Sequence, residues 1–231
     1  MSIKEKFNWA PLESDPSIFN EYFKKMGLPD SIQFNELYTI DYKEAQPIEG
    51  QVLSVIINYE CNKQNPYHRK EDNYADSSEV TFYMKQSEEL DYACGLIAAM
   101  HSIGNNLDKV DLPENSLLAN FFEASKNLSA VKRAELLCQN NDMKQVHDSH
   151  AEMGQTQAQS PQDVANHFVT FNWVDEKIYE FDGILKSVYL IKDNVNKNDF
   201  FDETLAEVSK RLCEKNITEN LSIIFMSKID L

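Results

Sequence analysis

Between Tyr83 and His101 a polar, charged loop runs straight into a helix of small apolar residues. The loop is Tyr83-Met84-Lys85-Gln86-Ser87-Glu88-Glu89-Leu90-Asp91-Tyr92-Ala93, and the helix opens at Cys94. The rest of the chain is organised around that junction. A cysteine in the first helical turn lies near backbone N–H groups without intrahelical partners and near the positive end of the dipole. Both favour thiolate over thiol, which makes Cys94 a candidate nucleophile. A free cysteine in such a place is more often a small buried hydrophobe, so the weight rests on what surrounds it.

The chain of 231 residues is 42% hydrophobic and 11% aromatic, which supports a packed core and argues against disorder. With 22 basic and 38 acidic side chains its formal charge is −16. Such a surface repels nucleic acid and anionic membrane and attracts a basic protein or peptide. Cys61, Cys94, Cys138 and Cys213 form no CxxC pair and no Cys/His cluster at zinc spacing. Met1 to Phe7 contain no apolar signal region, and no apolar run approaches bilayer length. A reduced, cytoplasmic protein without metal or organic cofactor is expected. The sequons at Asn127 and Asn216 are coincidental in that setting.

Ser14-Asp15-Pro16 starts a helix that Gly27 closes, and Gln33 to Asp41 reads as an irregular connection with some strand character. Val52 to Asn58 is β-branched and nearly continuously apolar, as a central strand would be. Residues 59–79 are a polar surface loop in which Cys61 and His68 are idle, and Val80 to Met84 fits a short strand. Helices are expected over about Pro113–Lys126 and, from a Ser129 cap, to Gln139. Cys138 and Met143 look like core or boundary residues.

Residues 147–163 have no clear period and are rich in glutamine and serine, which suggests a lid or binding loop. His147 and His150 within it read as surface histidines. Further on, His167–Trp173 and Lys177–Phe181 flank Asp175-Glu176 as a hairpin. A strand at Ser187–Ile191, a helix at Asp202–Lys215 and a strand at Leu221–Ser227 follow. No repeat or linker divides the chain, so residues 1–231 read as one domain.

A thiolate hydrolase needs a base close to the sulfur, a group that orients the base, and donors for the developing oxyanion. His167 opens one strand of the hairpin and Asp182 follows the other, so the turn brings imidazole and carboxylate into reach. Before Cys94, Gln86 is the only uncharged side-chain amide in the loop. The chain order Gln–Cys–His–Asp, with the cysteine opening a helix and the histidine on a sheet, is papain-like.

The sequence resembles the small, single-domain ubiquitin C-terminal hydrolases over nearly its whole length. The resemblance is carried by Trp9 with Pro11-Leu12-Glu13-Ser14-Asp15-Pro16, Met26-Gly27-Leu28, Tyr83-Met84-Lys85-Gln86, Ala93-Cys94-Gly95-Leu96-Ile97, and His101 with Asn105 and Asn106. It continues through His147-Asp148-Ser149, Gly154-Gln155-Thr156, His167-Phe168 and Ile178-Tyr179-Glu180-Phe181-Asp182-Gly183. The resemblance implies an α/β fold of the α+β type, a central antiparallel sheet flanked by helices, with a knotted chain path. It implies Cys94 as nucleophile, His167 as general base and then acid, Asp182 as orienting carboxylate, and Gln86 with the Cys94 N–H as the oxyanion hole. Residues 147–163 become the loop that crosses the active site and limits the leaving group to small or unstructured adducts. Glu13, Glu36 and Glu219 are placed on the ubiquitin-facing surface, and His101 is a buried structural residue.

The chain departs from the family pattern at one position that matters. The family glutamine stands six residues before the cysteine, whereas Gln86 stands eight before Cys94 and the sixth position is Glu88. Two inserted residues would leave the glutamine in place; a preserved register would put a carboxylate beside the oxyanion. The expected function is a monomeric, thiol-dependent deubiquitinase cutting after the C-terminal glycine of ubiquitin through an acyl-enzyme. The rival readings are a catalytically impaired ubiquitin-binding module and a hydrolase of a related modifier such as NEDD8.

Overall fold

A computed structural model describes residues 8–61, 64–151 and 166–229. At its centre β2 (Gln51–Cys61) pairs antiparallel with β6 (Ile217–Lys228) on one side and β3 (Asn166–Val174) on the other. β1 (Ile32–Leu37) adds to β6, β4 (Lys177–Phe181) to β3 and β5 (Tyr189–Lys192) to β4, giving a six-stranded antiparallel sheet in the order β1-β6-β2-β3-β4-β5.

Both faces of the sheet are covered, which is why β2 lacks the polar alternation of a half-exposed strand. The short helix α2 (Tyr42–Ala45) links β1 to β2. Ile56, Phe168, Ile224 and Met226 point into a core shared with α1 (Pro16–Lys25), α3 (Cys94–Gly104), α4 (Leu117–Ser125), α5 (Ala130–Cys138) and α6 (Asn141–Ala151). Val55, Ile57, Val169, Phe171, Ile223 and Phe225 face the opposite way, against α7 (Phe200–Cys213). Leu205 and Val208 of α7 are buried as its spacing predicts, with Leu212 half-buried.

The first helix forms as its sequence requires: the Asp15 carboxylate accepts from the Ser17 N–H at 2.7 Å, Pro16 needs no N–H partner, and Gly27 takes φ 102° just past the end. The β3–β4 hairpin turns at Asp175 and Glu176, both at positive φ (48° and 62°), the geometry whose twist matches the flanking strands.

Several expectations need correction. Gln33 to Asp41 is not an irregular connection throughout, because β1 occupies Ile32–Leu37 as the edge partner of β6. Val80 to Met84 forms no strand, although Phe82, Tyr83 and Met84 are buried. Side chains of α3 and of the residue that caps its C-terminus replace the missing sheet neighbour. Asn105 accepts from Phe82 N at 3.0 Å and donates to Phe82 O at 2.8 Å, and His101 Nε2 lies 3.0 Å from Met84 N. The helix expected from Pro113 starts at Leu117, where the Ser116 hydroxyl caps it. The strand expected at Ser187–Ile191 is β5, two residues later at its start.

The largest correction concerns residues 147–163. His147 to Ala151 are the last turns of α6, and residues 152–165 lie outside those described. His147 and His150 are not surface residues; they are 0% and 1% exposed. Both rings pack against Tyr22 of α1, and His147 Nε2 lies 2.8 Å from the Ala10 carbonyl. The knotted path implied by the resemblance involves the whole chain, including residues outside those described. No described helix is long and apolar enough to cross a membrane.

Candidate active site

The hairpin register explains how His167 meets Asp182. Thr170 pairs with Phe181, so one further step sets Asp182 across from Val169, and His167 lies diagonally from it on the same face. In the structure His167 Nε2 stands 2.8 Å from Asp182 Oδ1. Asp182 is 2% exposed, and Oδ1 also accepts the Ile184 N–H at 3.1 Å. With Nε2 committed to the carboxylate, Nδ1 is the ring nitrogen left for a second partner.

Cys94 supplies that partner. It is 7% exposed at the first position of α3, its Sγ lies 4.0 Å from the Tyr92 carbonyl, and the thiol is near enough to the His167 ring to favour its charged form. Burial disfavours the charged ring, but the bond to Asp182 and the nearby Cys94 outweigh it and raise the imidazole pKa well above its ordinary value. Beside it, a Cβ added to Gly95 would meet Phe168 and Leu12 at 3.5 Å, an ordinary packing contact.

Gln86 is held to the same place from two sides. Its backbone N–H donates to Gly183 O at 2.9 Å, and its Nε2 donates to Asp91 O at 2.6 Å. Gly183 allows this approach because a Cβ there would stand 2.9 Å from Gln86 N. One amide hydrogen of Gln86 is used by Asp91 and the other is free for a ligand. Oε1 is buried without a partner among the described residues.

The segment leading to Gln86 is fixed as firmly. The Tyr83 hydroxyl bonds to Asp182 O and Leu185 O at 2.9 and 2.7 Å, Arg133 donates to Tyr83 O at 2.9 Å, and the Tyr83 ring stacks on His101. Burial pulls the His101 pKa down to about 4, consistent with a structural residue kept neutral.

Between Gln86 and Cys94 the chain makes a 3₁₀ turn, Glu88–Leu90, that buries Leu90 and exposes Glu88 and Glu89. The third acid of the loop, Asp91, is turned inward, where its carboxylate accepts the N–H groups of Asn8 and Trp9 at 2.9 and 2.8 Å.

Cys94, His167, Asp182 and Gln86 are thus assembled at one end of the sheet. Pairing of Tyr59 with both His167 and Leu221 sets the first residues of β6 at that same end. Glu219 is exposed there, Glu36 is exposed on neighbouring β1, and Ser14 beside Glu13 touches Ser222 at 2.5 Å. Among the described residues no three metal-ligating side chains converge.

Sequence reasoning missed a charged network on the far side of Asp182, formed by Arg69, Glu180, Arg211 and Glu207. One signal was available: Glu180 is a lone carboxylate in the otherwise apolar strand Ile178-Tyr179-Glu180-Phe181. Buried His147 and His150 also had one, because Met143, Val146, His147 and His150 keep helical spacing.

Residues 9–214 match the family model of ubiquitin carboxyl-terminal hydrolase, family 1. The chain belongs to that family. The hydrolase is 29% identical to ubiquitin carboxyl-terminal hydrolase 3 of Arabidopsis thaliana, an alignment covering 95% of this chain and 94% of the relative. It is 28% identical to a probable ubiquitin carboxyl-terminal hydrolase of Dictyostelium discoideum, over 94% of this chain and 85% of the relative. Its fold matches the crystal structure of the Trichinella spiralis UCH37 catalytic domain bound to ubiquitin vinyl methyl ester, with a TM-score of 0.71 at 20% identity and 98% of each chain covered. As a member of this family the hydrolase is a cysteine peptidase with the α+β architecture expected for it.

Proposed function

We propose that this hydrolase is a deubiquitinase in which Cys94 is the nucleophile, His167 the general base and then acid, Asp182 the orienting carboxylate and Gln86 an oxyanion donor. The observation that carries the reading is the assembly of these four at one sheet end, with His167 bonded to Asp182 and the Cys94 thiol beside the ring.

His167 takes the proton from Cys94 Sγ, and the thiolate adds to the carbonyl carbon of the ubiquitin C-terminal glycine. The oxyanion receives hydrogen bonds from Gln86 Nε2 and the Cys94 N–H. As the C–N bond breaks, His167 gives its proton to the leaving amine. Water, deprotonated by His167, then hydrolyses the thioester, releasing the ubiquitin carboxylate and restoring the thiol. Asp182 holds the ring in one tautomer and stabilises the imidazolium in both halves.

The position of Gln86 supports an insertion over a replacement. The 3₁₀ turn takes up the extra residues as a surface loop and exposes Glu88, while Gln86 stays fastened to Gly183. This weighs against a catalytically impaired binding module. Glu219 and Glu36 are exposed on β6 and β1, Glu13 stands beside Ser14 in the chain, and acidic residues on this side suit the extended, arginine-bearing tail of ubiquitin. We assign residues 1–231 to one catalytic domain. The connection between α6 and β3 ends next to His167 and is the segment that limits which adducts reach the thiol.

The test is hydrolysis of ubiquitin carrying a fluorogenic C-terminal amide, run beside the same derivative of NEDD8. Turnover of ubiquitin that is lost in Cys94→Ser supports the reading. Faster turnover of NEDD8 would reassign the substrate, and ubiquitin binding without turnover would make the protein a binding module.

A further inference from the structure

Behind the His167–Asp182 pair, the loop after β2 delivers a guanidinium into the fold. Arg69 is 15% exposed, hydrogen-bonds through Nη2 to Glu180 Oε1, and comes within 4.0 Å of Asp182 Oδ2. Oδ2 is the oxygen that His167 does not use. Glu180 is fully buried and bonds through its other oxygen to Arg211 Nη2 at 2.8 Å, and Arg211 bonds to Glu207 at 2.9 Å.

A buried carboxylate must be paired. Arg211 pairs Glu180 from one side and is shared with Glu207, while Arg69 pairs Glu180 from the other and brings the same Nη2 to 4.0 Å from Asp182, so it links the buried acid to the one that orients His167. Arg69 is fixed in its place: it lies over the rings of Tyr67 and Tyr189 at 5.4 and 6.0 Å, and the Tyr189 hydroxyl accepts the Lys70 N–H at 3.0 Å.

We propose that Arg69 is a positioning residue for the reaction, one that faces the free oxygen of Asp182 as a cation at 4.0 Å and moderates the acidity of His167 from the far side of the carboxylate. The proposal rests on the hydrolase reading above. A cation behind Asp182 keeps the carboxylate ionised and resists its rotation away from His167. It also opposes a positive charge on the ring, and Glu180 cancels much of that opposition. The imidazolium is then stable enough to form and labile enough to surrender its proton to the leaving amine.

The Glu180 carboxyl fits this arrangement. Burial alone would raise its pKa, yet Arg211 and Arg69 hold it down at about 2. Other charged or titratable groups face the pair from every side and enter its titration: Cys94 and His101 from α3, Tyr59 from β2, and Tyr83 and Lys85 from the approach loop.

The test is the His167 titration followed by NMR in the full chain carrying Cys94→Ser, combined with Arg69→Met, Arg69→Lys or Glu180→Gln. Arg69→Met removes the opposing cation and should raise the His167 pKa by about half a unit or more. Arg69→Lys should return it toward the parent value. Glu180→Gln leaves Arg69 acting on Asp182 alone and should shift it down. In the Cys94 parent, Arg69→Met should lower kcat about tenfold with KM nearly unchanged, since Arg69 does not touch substrate. A purely structural role would not give shifts of opposite sign, and an unchanged His167 titration in Arg69→Met overturns the proposal while wild-type hydrolysis keeps the reading beneath it. A wild-type protein that fails to hydrolyse the ubiquitin amide removes that reading instead.

Discussion

The Nε2 of His167 and the Oδ1 of Asp182 lie 2.8 Å apart although fifteen positions separate them, and a two-residue turn with both residues at positive φ sets that distance. Asp182→Asn should preserve the fold, since Asn can still accept the Ile184 N–H, but it turns an acceptor for His167 into an ambiguous partner. Turnover should fall by about 10²-fold to 10⁴-fold, with an unchanged melting temperature as the control. Activity within a few fold of wild type would mean that the carboxylate does not orient the ring.

Gln86 and Glu88 compete for one role on sequence spacing and part company in space. Gln86→Ala should cost on the order of 10²-fold in kcat, the usual loss for an oxyanion donor, whereas Glu88→Gln should change it by less than about threefold. Parallel kinetics on the two variants decide the matter. The reverse ranking would place the oxyanion beside Glu88.

Much of this was legible in the sequence because its signals are local. The junction at Cys94, the Asp175-Glu176 hairpin and the Asp15-Pro16 helix start are each set by a few adjacent residues. What was not legible depends on distant partners. Arg69 sits in a polar loop, and its partner Glu180 lies 111 positions away. Val80 to Met84 has a strand's composition, but Phe82 and Met84 find their backbone partners in Asn105, the C-cap of α3, and His101 within it, which no periodicity announces. At α6 the helical spacing was present and was masked by the glutamine- and serine-rich stretch that follows it.

Two buried histidines make the fold acid-sensitive above the carboxylate range. Burial lowers the pKa of both His101 and His147 to about 4, so the unfolded chain binds protons that the folded one refuses. Their contribution is intact above about pH 6.5 and is lost as the pH falls toward 4, on the order of 3 kcal/mol for each. Denaturant unfolding at about pH 7.5 and about pH 5 should show a clear loss of stability, and His147→Gln should reduce that pH dependence. Because the raised pKa of His167 works in the opposite direction, the wild type and His147→Gln are compared with each other, and an identical pH dependence in the two would mean that the His147 ring is not held neutral.

The most direct test of the central claim is covalent capture by ubiquitin with an electrophile at its C-terminus, followed by peptide mapping of the adduct. A single adduct on Cys94, abolished in Cys94→Ala and slowed in His167→Asn, is the predicted result. An adduct on Cys138 or Cys213, or capture that persists in Cys94→Ala, would contradict it.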